Sequence, residues 1–157
     1  MKKLVVYYSF GGNTRAVARK IAKALDADIA EIRTTKAYPD DTDVLLGIAK
    51  REVETGCIPP IYALAADAQA YDTIILGTPV WWYTYAPAVK TFMKGIHWAG
   101  KKVYPFATSG GKVGHTPSDF RKAMRGAAVA PVFNVVFKEK AQETPEYQLN
   151  AWIATIE

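Results

Sequence analysis

VYYSFGGNTRAVARKIAKAL, residues 6–25, sets three structural states side by side and decides how the rest of the chain is read. An apolar run ends at Tyr8, a small and hydroxylic turn follows from Ser9 to Thr14, and a periodic basic segment starts at once. In that segment Val17, Ile21 and Leu25 recur every fourth residue with Ala18 and Ala22 beside them, while Arg15, Arg19, Lys20 and Lys23 take the other positions, the pattern of an amphipathic helix. Gly11 and Gly12 let the backbone turn tightly and approach a ligand, and Ser9, Asn13 and Thr14 offer side-chain hydrogen-bond groups. The helix points its unpaired N–H groups and positive dipole end into the same space, which suits a phosphate. The turn has no Gly-Lys-Ser/Thr ending, which argues against magnesium-dependent ATP or GTP hydrolysis, and it is not Gly-x-Gly-x-x-Gly, which argues against an ordinary dinucleotide fold. Taken alone, it fits equally a tight strand-to-helix connection capped by Asn13 or Ser9 with nothing bound.

Outward from this unit, strand-like apolar runs span residues 3–8, 28–33, 72–78, 102–108 and 131–137. The first, third and fifth are continuous and rich in Val, Ile and aromatics, as expected of a parallel sheet covered on both faces. Pro105 inside the fourth removes a ladder donor. Helical patterns alternate with them: one around Leu45, Ile48 and Ala49, opened by Asp40-Asp41-Thr42 and stopped near Gly56; one through Val89, Phe92, Met93 and Ile96; one starting at Thr116-Pro117-Ser118-Asp119 with a hydroxyl at the cap; and a last stripe of Leu149, Trp152, Ile153 and Ile156. Strict β-α alternation without repeat or linker predicts one α/β domain over residues 1–157, a three-layer sandwich with right-handed crossovers. Such sheets bind ligands at the carboxyl ends of their strands, so the loops after the first, third and fourth strands are the candidates.

The loop after the third strand, Thr78-Pro79-Val80-Trp81-Trp82-Tyr83-Thr84-Tyr85, puts four aromatics within five residues. Their flat surfaces suit a planar ligand; alternatively one indole fills the core, but adjacent side chains of an extended segment point to opposite faces, so both cannot easily do so. The loop after the fourth strand, Thr108-Ser109-Gly110-Gly111-Lys112-Val113-Gly114-His115, again offers glycines and hydroxyls to a ligand's polar edge, or is a surface turn.

Composition narrows the classes. With half its residues hydrophobic and 22% charged, the chain is expected to be globular, and no apolar run approaches the roughly 18 residues that would cross a membrane. Its single cysteine, Cys57, excludes an internal disulfide and suits a reducing cytoplasm. The net charge of +5 raises the question of nucleic acid, but the cations between Lys90 and Arg125 fall at helical and loop spacing without interleaved aromatics, the pattern of a solvated face. An acidic protein or a phosphorylated reductant is the better partner for that charge.

Taken together, "YSFGGNT", "GTPVWWYTYAP" and "PFATSGGKVG" resemble the flavodoxin superfamily, in particular short-chain flavodoxin-like proteins with a Trp-Trp second loop, and the resemblance runs through nearly the whole chain. It implies a five-stranded parallel sheet of order 2-1-3-4-5 and one noncovalent FMN. By position, Ser9, Gly11, Gly12, Asn13 and Thr14 would hold the FMN phosphate with the Phe10 N–H. After Thr78, residues Pro79, Val80, Trp81, Trp82 and Tyr83 would flank the flavin ring. Thr108, Ser109, Gly110 and Gly111 would meet its pyrimidine edge or ribityl chain. The turn would then wrap the phosphate with amides and hydroxyls instead of cations, and Gly11 stands where family loops usually carry Thr or Ser. The chain is also basic, whereas dedicated electron shuttles of the family are acidic. The resemblance implies an FMN-binding protein that carries electrons or acts as a small flavin-dependent oxidoreductase, working with redox partner proteins or a nicotinamide reductant. One alternative is an NAD(P)H-dependent quinone or flavin reductase, with Lys112, close to the third loop, to attract a nicotinamide phosphate. Another is a cofactor-free binding module; a phosphoacceptor regulator is disfavoured because Tyr8-Ser9 provides no acidic pair. His115, at the end of the third loop, is expected near the site and His97 at a helix end, and the oligomeric state has no signature.

Overall fold

The computed structural model describes residues 2–157. Strand β1 (Lys3–Tyr8) shows why the sheet has two covered faces: Leu4, Val6 and Tyr8 are buried in one apolar layer, Val5 and Tyr7 in the other. Helices α1 (Asn13–Leu25) and α5 (Glu146–Ile153) pack on the Val5 side through Val17, Ile21, Leu149 and Ile153. Helices α3 (Pro87–Lys94) and α4 (Thr116–Ala123) cover the other side through Val89, Phe92, Met93 and Phe120. Helix α2 (Thr42–Thr55) adjoins α3 and starts and stops where the sequence places its signals: the Asp41 carboxylate accepts from the Val44 N–H at 3.0 Å, and Gly56 closes it at φ 69°.

The sheet centres on β2 (Asp28–Ile32), β1, β3 (Thr73–Trp81), β5 (Lys102–Ser109) and β7 (Phe133–Lys138), adjacent in that order and parallel throughout, which is the expected 2-1-3-4-5 arrangement of five main strands. Three two-residue strands complete it to eight: β4 (Thr84–Tyr85) folds back antiparallel on β3, β6 (Ala128–Val129) runs parallel beside β5, and β8 (Ala141–Gln142) folds back on β7. Two boundaries move with them. The third main strand continues past Thr78 to Trp81 because it forms a hairpin with β4, and the last begins at Phe133, beyond Pro131.

Pro105 is accommodated in a central strand by a gap in its neighbour. Lys102 and Val103 pair with β6, Phe106 to Ser109 pair with β7, and the Val103 carbonyl accepts from Ala130 at 2.8 Å. Residue 105 faces the same side as residue 103, in the interval between the two partner strands, so its missing N–H leaves no ladder bond unmade. Next to it, Phe106 lies over Gly77 across the β3–β5 pair; a Cβ on Gly77 would stand 2.2 Å from the Phe106 ring.

Helix α4 corrects one expectation. Its cap position is His115, which makes no side-chain cap bond, and the Thr116 hydroxyl donates to the Val113 carbonyl at 2.6 Å. Asp119 reaches the side chain of the cap residue, pairing with the His115 ring at 2.8 Å, and accepts from the Thr84 hydroxyl at 2.6 Å.

Candidate functional site

At the carboxyl end of β1 the backbone enters α1 through Gly11 at φ 83° and Gly12 at φ 104°, both in the left-handed region that favours glycine. Gly12 is the cap residue of α1 and makes no side-chain cap bond, and Asn13 does not act as a cap, its side chain being turned to Glu139. The Ser9 hydroxyl instead accepts from the Arg15 N–H at 3.2 Å. The first turn of α1 carries no acidic side chain, which keeps its positive end unopposed. Arg15 itself is turned to Glu31, 2.6 Å away.

Three links draw the candidate loops together. The buried Thr14 and Thr108 hydroxyls share a hydrogen bond of 2.8 Å, joining the first loop to the end of β5. Pro79 pairs with Thr108 in the β3–β5 register, joining the second loop to the third. The half-buried Phe10 and Trp81 rings meet edge to face with centroids 6.2 Å apart, joining the first to the second. Ser9, Phe10, Gly11, Gly12, Asn13, Thr14, Pro79, Val80, Trp81, Thr108, Ser109, Gly110 and Gly111 therefore belong to one edge of the sheet.

Not every one of these side chains is turned to a ligand. Thr78 is fully buried; its hydroxyl donates to the Pro79 carbonyl and accepts from the Ala86 N–H at 2.9 Å, which fixes the hairpin to the start of α3. Ser109 Oγ donates to Asn134 Oδ1 at 2.8 Å, and Asn134 Nδ2 returns a bond to the Gly111 carbonyl at 3.2 Å, so the third loop is braced from β7. Asn13 Nδ2 donates to the Glu139 carbonyl at 2.7 Å.

The aromatic loop resolves into a two-residue hairpin, since Trp81 opposes Thr84 and only Trp82 and Tyr83 lie between. Both take positive φ, 50° and 70°, as a right-twisted hairpin turn favours, although for side chains of this size that conformation costs about 1–2 kcal/mol each. The two indoles diverge where Trp81 ends the strand and Trp82 enters the turn. Trp81 turns inward against Tyr8 and Tyr38, at centroid distances of 5.7 and 5.3 Å. Trp82 stays partly exposed, donates from Nε1 to the Leu46 carbonyl of α2 at 2.9 Å and has Lys50 Nζ 5.3 Å from its ring centre. Tyr83 is 60% exposed, and its carbonyl accepts from the His115 N–H at 2.8 Å. Gly114 makes that junction possible, because a Cβ there would lie 2.4 Å from the Tyr83 carbonyl oxygen.

Several participants have no sequence signal. Lys140, in the turn between β7 and β8, donates from Nζ to the Gly11 carbonyl, so the first loop is not the cation-free turn that its own residues imply. Asn134 and the bond from Thr84 to Asp119 are equally silent, since each joins residues far apart along the chain. The Asp119–His115 pair borders a cavity of about 290 Å³ beside the hairpin, lined also by Tyr85, Lys90, Glu52 and Cys57. Burial raises the Asp119 carboxyl pKa, but hydrogen bonds from His115 and Thr84 outweigh it and hold the group below its ordinary value. Burial, then the Asp119 charge, pushes the Tyr85 hydroxyl up; Tyr8 and Tyr38 are raised chiefly by burial and stay neutral.

A flavodoxin family model matches residues 2–156. A crystal structure from Bacteroides uniformis, of a candidate flavoprotein, superposes with TM-score 0.83 at 26% identity, covering 98% of this chain and 97% of that one. A flavoprotein of Lactobacillus acidophilus, crystallised in complex with FMN, superposes with TM-score 0.73 at 28% identity, covering 85% of this chain and 92% of its own. Oxidised flavodoxin 2 of Bacillus cereus shares the fold, with TM-score 0.59 at 21% identity over 99% and 94% of the two chains. No curated protein matches the sequence.

Proposed function

The chain belongs to the flavodoxin family, and from that premise we propose that it is an FMN-binding redox protein, an electron carrier or a small flavin-dependent oxidoreductase. The observation that carries this reading is the union of three loops at one sheet edge through Thr14–Thr108, Pro79–Thr108 and Phe10–Trp81. The residues fit the cofactor at both ends. Glycines at positive φ and an α1 N-terminus free of acids suit a phosphate monoester, and exposed aromatic faces at Trp82 and Tyr83 suit a flat tricycle. FMN, when bound, supplies one- and two-electron transfer. The loop from Ser9 to Thr14 would hold the phosphate, the segment from Pro79 to Tyr83 would flank the ring, and Thr108 to Gly111 would meet its polar edge or the ribityl chain. Asn134 holds that last segment from behind, and the Trp82–Leu46 bond fixes the hairpin on α2.

A second reading, a reductase that takes electrons from NAD(P)H and passes them to a quinone or free flavin, is favoured by the His115–Asp119 pair and Lys90 around the adjoining cavity, a place where a proton and a small acceptor can meet. The proposed partners are accordingly redox proteins or a nicotinamide reductant. Among the described residues no helix is long and apolar enough to cross a membrane.

The test is the visible spectrum of the purified protein together with titration by FMN, followed by flavin fluorescence. Saturable binding is expected, whereas a colourless protein that ignores added FMN contradicts the proposal and favours a cofactor-free module. Rapid mixing of the flavin-loaded protein with NADPH then separates the two roles: flavin bleaching at a catalytic rate selects the reductase, and its absence selects the carrier.

A further inference from the structure

We propose that Lys140 is the charged phosphate ligand of the cofactor site, a cation supplied to the first loop by the β7–β8 hairpin; this rests on the FMN reading above. Lys140 is 129 positions from Gly11 in sequence, yet its ammonium donates to the Gly11 carbonyl. The geometry at Gly11 is the telling part. A Cβ built there would stop 3.1 Å from Lys140 Nζ, so the ammonium fills the volume that a side chain at position 11 would claim. The loop thus has a cationic donor where a neutral side-chain donor would otherwise stand.

Further features prepare the lysine for an anion. The hairpin tip is held against the loop by the bond from Asn13 Nδ2 to the Glu139 carbonyl, 2.7 Å, and Glu139 turns the chain at φ 57°. No carboxylate lies within ion-pair distance of Lys140 among the described residues, whereas Arg15 and Lys20 nearby are both paired with acids. A phosphate dianion is a stronger acceptor than an amide carbonyl, and the flexible four-carbon stem lets the ammonium leave Gly11 for a phosphate oxygen without moving the hairpin. The α1 dipole and the lysine then act on the same ligand group. Such a site selects FMN over riboflavin, which has the same ring and no phosphate.

The experiment titrates wild type, Lys140→Gln and Lys140→Arg with FMN and with riboflavin, at low and high salt. Lys140→Gln is expected to weaken FMN binding about tenfold while riboflavin affinity stays nearly constant, as loss of one charge-assisted hydrogen bond in a solvent-open site implies. Lys140→Arg is expected to retain most of the FMN preference, and salt to erode that preference more in wild type than in Lys140→Gln. Equal FMN affinity in wild type and Lys140→Gln overturns the inference. So does an equal loss for FMN and riboflavin, which would make the lysine a latch that shapes the loop. A wild-type protein that binds neither flavin refutes the proposed function itself, and the inference with it.

Discussion

Replacing Thr14 by Val tests the link between the first loop and the sheet. The Thr14 and Thr108 hydroxyls, 1% and 5% exposed, lie 2.8 Å apart, 94 positions apart in sequence. Valine has nearly the same shape, so Thr14→Val removes the bond without opening a cavity and strands the Thr108 hydroxyl in a buried setting. An unsatisfied buried hydroxyl costs about 1–3 kcal/mol, and Thr108→Val should cost a similar amount by stranding Thr14. The double variant removes both partners and should recover most of the loss, giving a coupling energy that approaches the sum of the two single losses, about 2–6 kcal/mol, in a double-mutant cycle. Urea unfolding of the four proteins followed by circular dichroism measures this directly. Simple addition of the two single losses would refute the claim that the hydroxyls satisfy each other. FMN titration of the same set adds the functional reading: if the loop is held in shape by this bond, both single variants bind FMN more weakly than wild type.

Other expectations follow from single contacts. Gly77→Ala places a methyl 2.2 Å from the Phe106 ring in the centre of the sheet and should destabilise by about 1–3 kcal/mol in urea unfolding; a neutral result would mean that Phe106 moves aside freely. Trp82→Phe removes the donor to the Leu46 carbonyl, with a loss of about 0.5–1.5 kcal/mol, and should change the absorption spectrum of bound flavin; an unaltered spectrum assigns the ring to packing on α2 alone. Asp119 titrates below its ordinary value of 3.8 in the folded chain, so the stability it contributes is fully present above that value and is lost as pH falls through the lower, folded one. The stability gap between wild type and Asp119→Asn should therefore narrow on acidification, and a gap that does not change with pH would count against the Thr84–Asp119–His115 chain.

What could be read from the sequence, and what could not, divides by distance along the chain. β1, the turn at Gly11 and Gly12, and α1 are local features whose residues announce them, and α2 starts at Asp41 and stops at Gly56 by the same local chemistry. Trp81 and Trp82 point apart as expected, but not through strand alternation: Trp81 ends β3 and Trp82 opens the turn at φ 50°. The hairpins were hidden for a physical reason: Trp82-Tyr83 and Glu139-Lys140 contain neither the Gly nor the Asn that normally marks a two-residue turn. Their conformation is imposed by contacts made elsewhere, on Leu46 and His115 in one case and on Gly11 and Asn13 in the other. The break between β6 and β7 that makes room for Pro105 was hidden in the same way, because a missing donor matters only once the neighbouring strand is known. The alternate role of Thr14 and the arrival of Lys140 are likewise tertiary facts, and both change how the phosphate end of the site is understood.

The most direct measurement is a crystal structure of the protein grown with saturating FMN. The account predicts the phosphate against the backbone amides of residues 9–14 and the ring system beside Trp82 and Tyr83, facing the segment from Thr108 to Gly111. Flavin density anywhere else on the molecule, or solvent alone at that edge, would contradict it.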